Sequence, residues 1–433
     1  MTRPLAERST TELDERRRAL SARFDQMKAQ KLALDLTRGK PAADQLALSD
    51  ALDGCLAGDY RASDGTDVRN YGGLRGIPEA RALGAELLGV AATDVMAAGN
   101  SSLTLMYQIV DAALSFGLPD DRSAWRPAAD PSAAVRFLCP VPGYDRHFTI
   151  CQSLGIDMVP VPLGDDGPDM DAVERAVAQD PSIKAIWCVP KYSNPTGCVY
   201  ADATVARLAR LPRAAGAGFL VLWDNAYAVH DLVEDPPKLA DMAALARREG
   251  TFDQVVMFAS TSKITFAGAG VAFLAGSKAL LERFEKYLSA QEIGPDKVTQ
   301  LRHARFLAGR LDAHMRAHAR LIRPKFEAVL ARLEQSLGGL GVASWTAPKG
   351  GYFISFDTRP GLARRVVALA KEAGVTLTPA GSTWPNGQDP NDSNIRIAPT
   401  FPSLADVEAA TEVFTLCVEL ASVEQILVSR GAA

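Results

Sequence analysis

AIWCVPKYSNPTG, Ala185–Gly197, begins as an unbroken apolar run and passes without a helical interval into a polar, turn-rich segment. An apolar run without alternation reads as a strand covered on both faces. Other short β-rich runs, several of them apolar without alternation, lie on either side of it: VRFLC at 135–139, MVPVP at 158–162, FLVLWD at 219–224, QVVMFAS at 254–260 and VAFLAG at 271–276. Helical patterns separate them from about Asp94 to Gly276. The alternation predicts a mostly parallel sheet between two helical layers, a three-layer α/β domain.

Outside that core the pattern changes. Upstream, Ser9-Thr10-Thr11-Glu12 forms a capping box, and Leu13, Leu20, Phe24 and Met27 then share one face of a helix expected to run to about Lys31. LDLTRGKP, Leu34–Pro41, ends as a loop at Gly39 and Pro41. Downstream, a long charged helical stretch is expected from Leu280 to about Leu337. It is followed by GYFISFD (351–357), a helix over Leu362–Ala373, VTLTP (375–379), NIRIA (394–398) and a last helix from Ser403 to about Ser422. These segments predict a separate, smaller α+β domain. No internal repeat is present, and RPAADPSAAV, Arg126–Val135, reads as a surface loop.

The chain has 433 residues, 47% hydrophobic and 23% charged, enough to bury a sizeable core, which excludes a disordered or collagen-like chain. Its 47 basic and 51 acidic side chains give a net charge of -4, so nothing implies a nucleic-acid partner. Six cysteines (Cys55, Cys139, Cys151, Cys188, Cys198, Cys417) lie scattered without a CxxC pair. That fits reduced thiols in a cytoplasmic enzyme, and no metal site is expected. The polar, charged N-terminus lacks a signal-peptide core, and no apolar stretch approaches the roughly 18–20 residues of a membrane span.

Four segments carry candidate chemistry. Asn194 follows the strand AIWCVP, where ligands of open α/β sheets bind and where an amide offers both a donor and an acceptor; NPTG alone also reads as a plain turn. Asp224 ends the run FLVLWD with Tyr227 three residues on. A carboxylate leaving a buried strand needs a cation or hydrogen bonds to stay charged, which a protonated pyridine would supply, although an N-cap Asp reads the same way. Lys263 follows Ser260, Thr261 and Ser262 at the end of QVVMFAS, where desolvation would make its amine a Schiff-base nucleophile unless it snorkels to solvent. Gly99, Asn100, Ser101 and Ser102 precede an apolar-periodic helix, as at a phosphate site or a capped helix, and lack P-loop spacing.

In order and spacing, with Asn194, Asp224, Tyr227 and Lys263 falling in turn, these segments resemble the class I, fold type I pyridoxal 5'-phosphate (PLP) aminotransferases. SKITFAGAG, YGGLRG and NIRIAPTF resemble a divergent aspartate aminotransferase subgroup within them. The resemblance implies a large PLP-binding domain over 50–325 and a small domain from 1–49 and 326–433. It implies amino transfer from an amino acid, with aspartate as preferred donor, to 2-oxoglutarate. It further implies a soluble cytoplasmic homodimer with shared active sites, acting on small molecules without nucleic acid or membrane.

Carried over residue by residue, the resemblance makes Lys263 the lysine that bonds PLP and moves the proton, and Asp224 the partner of the pyridine nitrogen. Tyr227 and Asn194 would bond the ring oxygen, Tyr144 of VPGYDRHF would stack on the ring, and His147 would support Asp224. Asn100, Ser101, Ser102, Ser260 and Ser262 would hold the phosphate, with Tyr71 reaching it from the neighbouring subunit. Arg396 would bind the substrate carboxylate and Gly39 would let the backbone approach the substrate. For a donor's second carboxylate, Lys297 in QEIGPDKVTQLRH is the expected cation, with Arg302, Arg38 and Lys40 as rivals. One departure stands out: the family's phosphate-binding Arg a few residues after the lysine is missing, and Gly268-Ala269-Gly270 stands there. Two other readings are a PLP lyase on the same scaffold and a regulator with an aminotransferase-like domain. Only about 35 residues precede LTRGKP, too few for the DNA-binding module a regulator needs.

Overall fold

The computed structural model describes residues 3–127 and 129–431. They form two compact units. The larger holds residues 43–193 and 198–318; the smaller holds the described residues up to Ala42, Asn194–Gly197, and those from Ala319 on. The divisions thus fall at 42/43 and 318/319, against 50 and 325 in the sequence reading.

The larger unit is built on an eight-stranded sheet: β1 (Val95–Ala97), β2 (Arg136–Val141), β3 (Asp157–Gly164), β4 (Gly167–Pro168), β5 (Ile183–Cys188), β6 (Leu220–Asp224), β7 (Val255–Ser260) and β8 (Ala272–Ala275). Their spatial order is β1-β8-β7-β6-β5-β2-β3-β4. The strands from β7 to β3 pair in parallel, and β1, β8 and β4 join antiparallel at the edges. Both faces of β2, β5, β6 and β7 are buried, which is why those runs do not alternate, whereas β3, the MVPVP run, is mostly exposed or half-buried with only Val161 buried. Phe137, Trp187, Leu222 and Phe258 pack on one face, and Leu138, Ile186, Val221 and Met257 on the other. Each such side chain contributes ~1.5–3 kcal/mol by leaving water. The helix Ser102–Ser115 covers the first face through Leu105, Ile109 and Val110, and the helix Asp202–Arg210 covers the second through Val205 and Leu208.

Because β2, β5, β6 and β7 are adjacent and parallel, their carboxyl ends share one edge of the sheet, where such folds bind ligands. Tyr144, Lys191, Asp224 and Lys263 all lie at or just beyond those ends.

In the smaller unit the helix Thr10–Ala29 starts at the Ser9/Glu12 capping box and packs along the helix Leu404–Ser429. Arg16 grips the buried Glu419 with two hydrogen bonds of 2.7 and 2.9 Å. The strands Ala343–Trp345, Ile354–Thr358 and Asn394–Ile397 form an antiparallel sheet, and Leu34–Asp35 pairs in parallel with Val375–Thr376.

Three details depart from the sequence reading. The stretch from Leu280 to Leu337 is three helices, Lys278–Leu288, Lys297–Leu307 and Leu311–Leu337. Pro295, which lacks an N–H, and Gly309, at φ +65°, lie in the two breaks. The last helix runs to Ser429 rather than about Ser422. The strands β1, β4 and Ala343–Trp345 were missed, two or three residues being too short to show a pattern. Among the described residues no helix is long and apolar enough to cross a membrane.

Candidate active site

Asp224 is the last residue of β6 and is followed by turns, so it is not a helix cap. Its Oδ2 accepts a 3.1 Å hydrogen bond from His147 Nε2. The His147 ring lies flat on Trp187, centroids 4.2 Å apart at 8°, and edge-on to Tyr144 at 5.0 Å. Tyr144 and His147 reach this place because the chain leaves β2 through Pro142-Gly143 and starts the helix Asp145–Ser153. Asp224 Oδ1 is buried and has no hydrogen-bond partner among the described residues. One carboxylate oxygen is therefore oriented by a histidine and the other stands open as an acceptor.

Lys263 sits on the turn after β7, its Nζ 5.1 Å from the centre of the Tyr227 ring. Burial pushes its amine below the usual lysine range, and the negative charge of Asp224 opposes that shift. An amine so placed has a larger unprotonated fraction than an exposed lysine, which nucleophilic and base chemistry require.

The phosphate-site candidates also converge. Ser101 is the N-cap of the helix Ser102–Ser115, its side chain makes no capping bond, and the first turn carries no acidic residue. Asn100 Nδ2 donates to Gly268 O and Ser262 Oγ donates to Asn100 O, each at 3.4 Å. Ser260 Oγ accepts from Ser262 N at 3.4 Å. Hydroxyls and a helix N-terminus thus face the loop that carries Lys263, a combination that suits an anion. The departure at Gly270 has a steric reason: a Cβ there would lie 2.9 Å from Thr261 Oγ1, a buried hydroxyl already accepting from Val271 N at 2.9 Å.

Tyr71 and Lys297 lie together, in a different arrangement from the one expected. Tyr71 is 78% exposed, whereas Lys297 is 3% exposed and its Nζ donates to Gly72 O at 2.5 Å. One turn on, Gln300 donates to Ala97 O at 2.9 Å and accepts from Ile77 N at 3.0 Å. The helix Lys297–Leu307 thus grips both ends of the YGGLRGI loop that presents Tyr71. Lys297→Met should remove the donor, leave the Gly72 carbonyl unmatched and lower stability by ~1.5–3 kcal/mol, read from urea unfolding midpoints.

The remaining candidates belong to the smaller unit. Arg396, on the strand Asn394–Ile397, is buried, donates from Nη1 to Asn194 Oδ1 at 3.4 Å and lies 4.9 Å over the Phe353 ring. The same ring presses on Gly39, where a Cβ would come within 2.1 Å of Phe353 Cζ. Phe353 went unnoticed in the sequence, where GYFISFD reads only as a strand. The segment leading to Asn194 is fixed in the larger unit: Tyr192, at φ +53°, donates to Asp231 Oδ1 at 2.5 Å, and Lys191 Nζ pairs with the same carboxylate at 2.8 Å. No group of His, Cys, Asp or Glu among the described residues could hold a metal ion.

The family model described as aspartate amino-transferase matches residues 8–430. A Mycolicibacterium smegmatis protein is 50% identical over 409 residues, covering 93% of this chain and 94% of its own. An aspartate aminotransferase of Corynebacterium glutamicum is 46% identical over 411 residues, covering 94% and 93%. The crystal structure of an aspartate transaminase from Corynebacterium glutamicum superposes with a TM-score of 0.91 at 43% identity, covering 98% of this chain and all of that one. With a matching model over nearly its whole length and relatives this similar, the chain belongs to the aspartate amino-transferase family.

Proposed function

We propose that this aminotransferase uses pyridoxal 5'-phosphate to move an amino group from an amino acid, aspartate by preference, to 2-oxoglutarate. The observation that carries the reading is the pair at adjacent strand ends: a buried lysine with a lowered amine pKa, and Asp224 with one oxygen fixed by His147 and the other open. An open, buried carboxylate oxygen fits the N–H of a protonated pyridine ring, and the hydroxyls around Asn100 fit a phosphate. When bound, the cofactor supplies a protonated ring that takes up charge from the substrate α-carbon.

The chain's own residues do the rest. Asp224 keeps the ring nitrogen protonated, and His147, clamped by Trp187, keeps Asp224 aimed. Tyr144 stacks on the ring, and Tyr227 and Asn194 donate to its phenolic oxygen. Asn100, Ser101, Ser102, Ser260 and Ser262 hold the phosphate with hydroxyls and amides in place of the absent arginine. Lys263 would hold the cofactor through its amine and would move the proton to and from the substrate α-carbon as general base and acid. Arg396 takes the substrate α-carboxylate, its planar fork permitting a bidentate pair, and Gly39 leaves room for the substrate beside Phe353. Lys297 stands outside the proposal, being spent on Gly72; Arg38 and Lys40, exposed on either side of Gly39, are the cations we assign to a second carboxylate. The exposed Tyr71 serves a second copy of the chain, making the enzyme a homodimer with shared sites.

The test is a donor panel with 2-oxoglutarate and PLP-saturated enzyme, read as glutamate formed. Aspartate should lead apolar and aromatic donors by about tenfold or more in kcat/KM, since a cation left unpaired penalises a neutral side chain. A poor rate with aspartate overturns the specificity, and ammonia with pyruvate in place of glutamate would make the protein a lyase.

A further inference from the structure

Three of the five histidines meet at one backbone turn. Lys263 rides on a single helical turn in which Ile264 N and Thr265 N both donate to Thr261 O at 2.9 Å. So short a turn leaves its last carbonyls without helical donors. Here imidazoles meet them: His230 Nε2 donates to Lys263 O at 3.2 Å, and His314 Nε2 and His318 Nε2 lie 2.7 and 2.8 Å from Ile264 O and 3.2 Å from each other. His314 and His318 stand one turn apart on the helix Leu311–Leu337, rings 4.8 Å apart at 67°, so both reach the same oxygen. Gln45 Nε2 lies 3.3 Å from His318 Nδ1 and donates to it, which leaves the proton of His318 on Nε2, facing the carbonyl.

We propose that His230, His314 and His318 clamp the carbonyl end of the Lys263 turn and are positioning residues that aim the Lys263 amine. The inference rests on the assignment of Lys263 as the reactive lysine. Burial supports it by lowering His230 to about 3 and His318 to about 4, with His314 lowered as well. The clamp is therefore uncharged near neutral pH. Cationic donors at the same place would repel the protonated lysine and depress its amine further, so neutral imidazoles hold the turn without shifting the group they aim.

The experiment compares wild type, the double variant His314→Leu/His318→Leu and the amide-bearing double variant His314→Gln/His318→Gln. In the cofactor-free protein, amide hydrogen exchange at Ile264 and Thr265 should speed up tenfold or more in the Leu variant, while the β6 and β7 amides keep wild-type rates. In the PLP-loaded enzyme, kcat should fall between tenfold and about a hundredfold with donor KM within twofold, the pattern of a misaimed group rather than lost binding. The Gln variant should recover most of both. Wild-type exchange and kcat in the Leu variant overturn the clamp, as does equal loosening of the whole sheet. If the double Leu variant does not fold, His230→Leu carries the same readouts through Lys263 O. Borohydride mapping on the wild type separates the two readings: a label on another lysine ends the Lys263 assignment and leaves the exchange result standing.

Discussion

Lys263→Ala should fold, bind cofactor only non-covalently and lose transamination by ~10⁴-fold or more, because one substitution removes both the nucleophile and the proton carrier. That loss corresponds to about 5.5 kcal/mol of transition-state stabilisation. The side chain sits at the end of a buried strand with its amine lowered by desolvation, and the neighbouring Tyr227 provides no second amine. Single-turnover assays with purified variant check the rate, and borohydride reduction of wild type should place the pyridoxyl group on Lys263 alone. Mixing Lys263→Ala with an inactive Tyr71 variant should restore part of the activity if Tyr71 serves the partner's site. A fully active monomer would end that part of the proposal.

The second large effect is at Asp224. Asp224→Asn keeps an acceptor for His147 Nε2 but carries no charge to hold a proton on the pyridine nitrogen, so turnover should fall by ~10²–10³-fold with the fold intact. Asp224→Ala should lose turnover likewise and, in addition, ~1–3 kcal/mol of stability, since a buried imidazole N–H then lacks its acceptor. Steady-state rates at saturating PLP, with urea unfolding of both variants, separate the chemical effect from the structural one. Near wild-type turnover in either PLP-saturated variant removes Asp224 from its role.

How much of this was legible depends on where the information resides. The parallel strands showed because burial on both faces forces continuous apolar runs, as in Leu220–Asp224 and Val255–Ser260. Asp224, Tyr227 and Lys263 stood out as candidates because each lies at or within three residues of the end of such a run, although a helix cap or a snorkelling lysine would read the same way. The bond from Lys297 to Gly72 was hidden because a lysine after Gly294-Pro295 gives no sign that its amine turns inward to a carbonyl 225 residues away. The histidine clamp was hidden for a related reason. His314 and His318 declare a shared helix face by their spacing, but the Ile264 carbonyl they seek carries no side-chain signature. Phe353 was hidden because the close approach of an aromatic ring to Gly39 belongs to tertiary packing, and only the glycine hinted at it.

The crowding at Gly270 also ties the choice of residue at 270 to the one at 261. Arginine at 270 meets Thr261 Oγ1, and Thr261 cannot simply step aside: its hydroxyl holds Val271 N and its carbonyl holds the amides of Ile264 and Thr265. A single change at 270 therefore strains the turn that carries Lys263 before it can offer a guanidinium to anything. Trimming Thr261 to alanine would leave its carbonyl in place and take the acceptor from Val271 N. Positions 261 and 270 are therefore coupled: the effect of an arginine at 270 on the turn that carries Lys263 should depend on which residue stands at 261, and the two substitutions should not be additive.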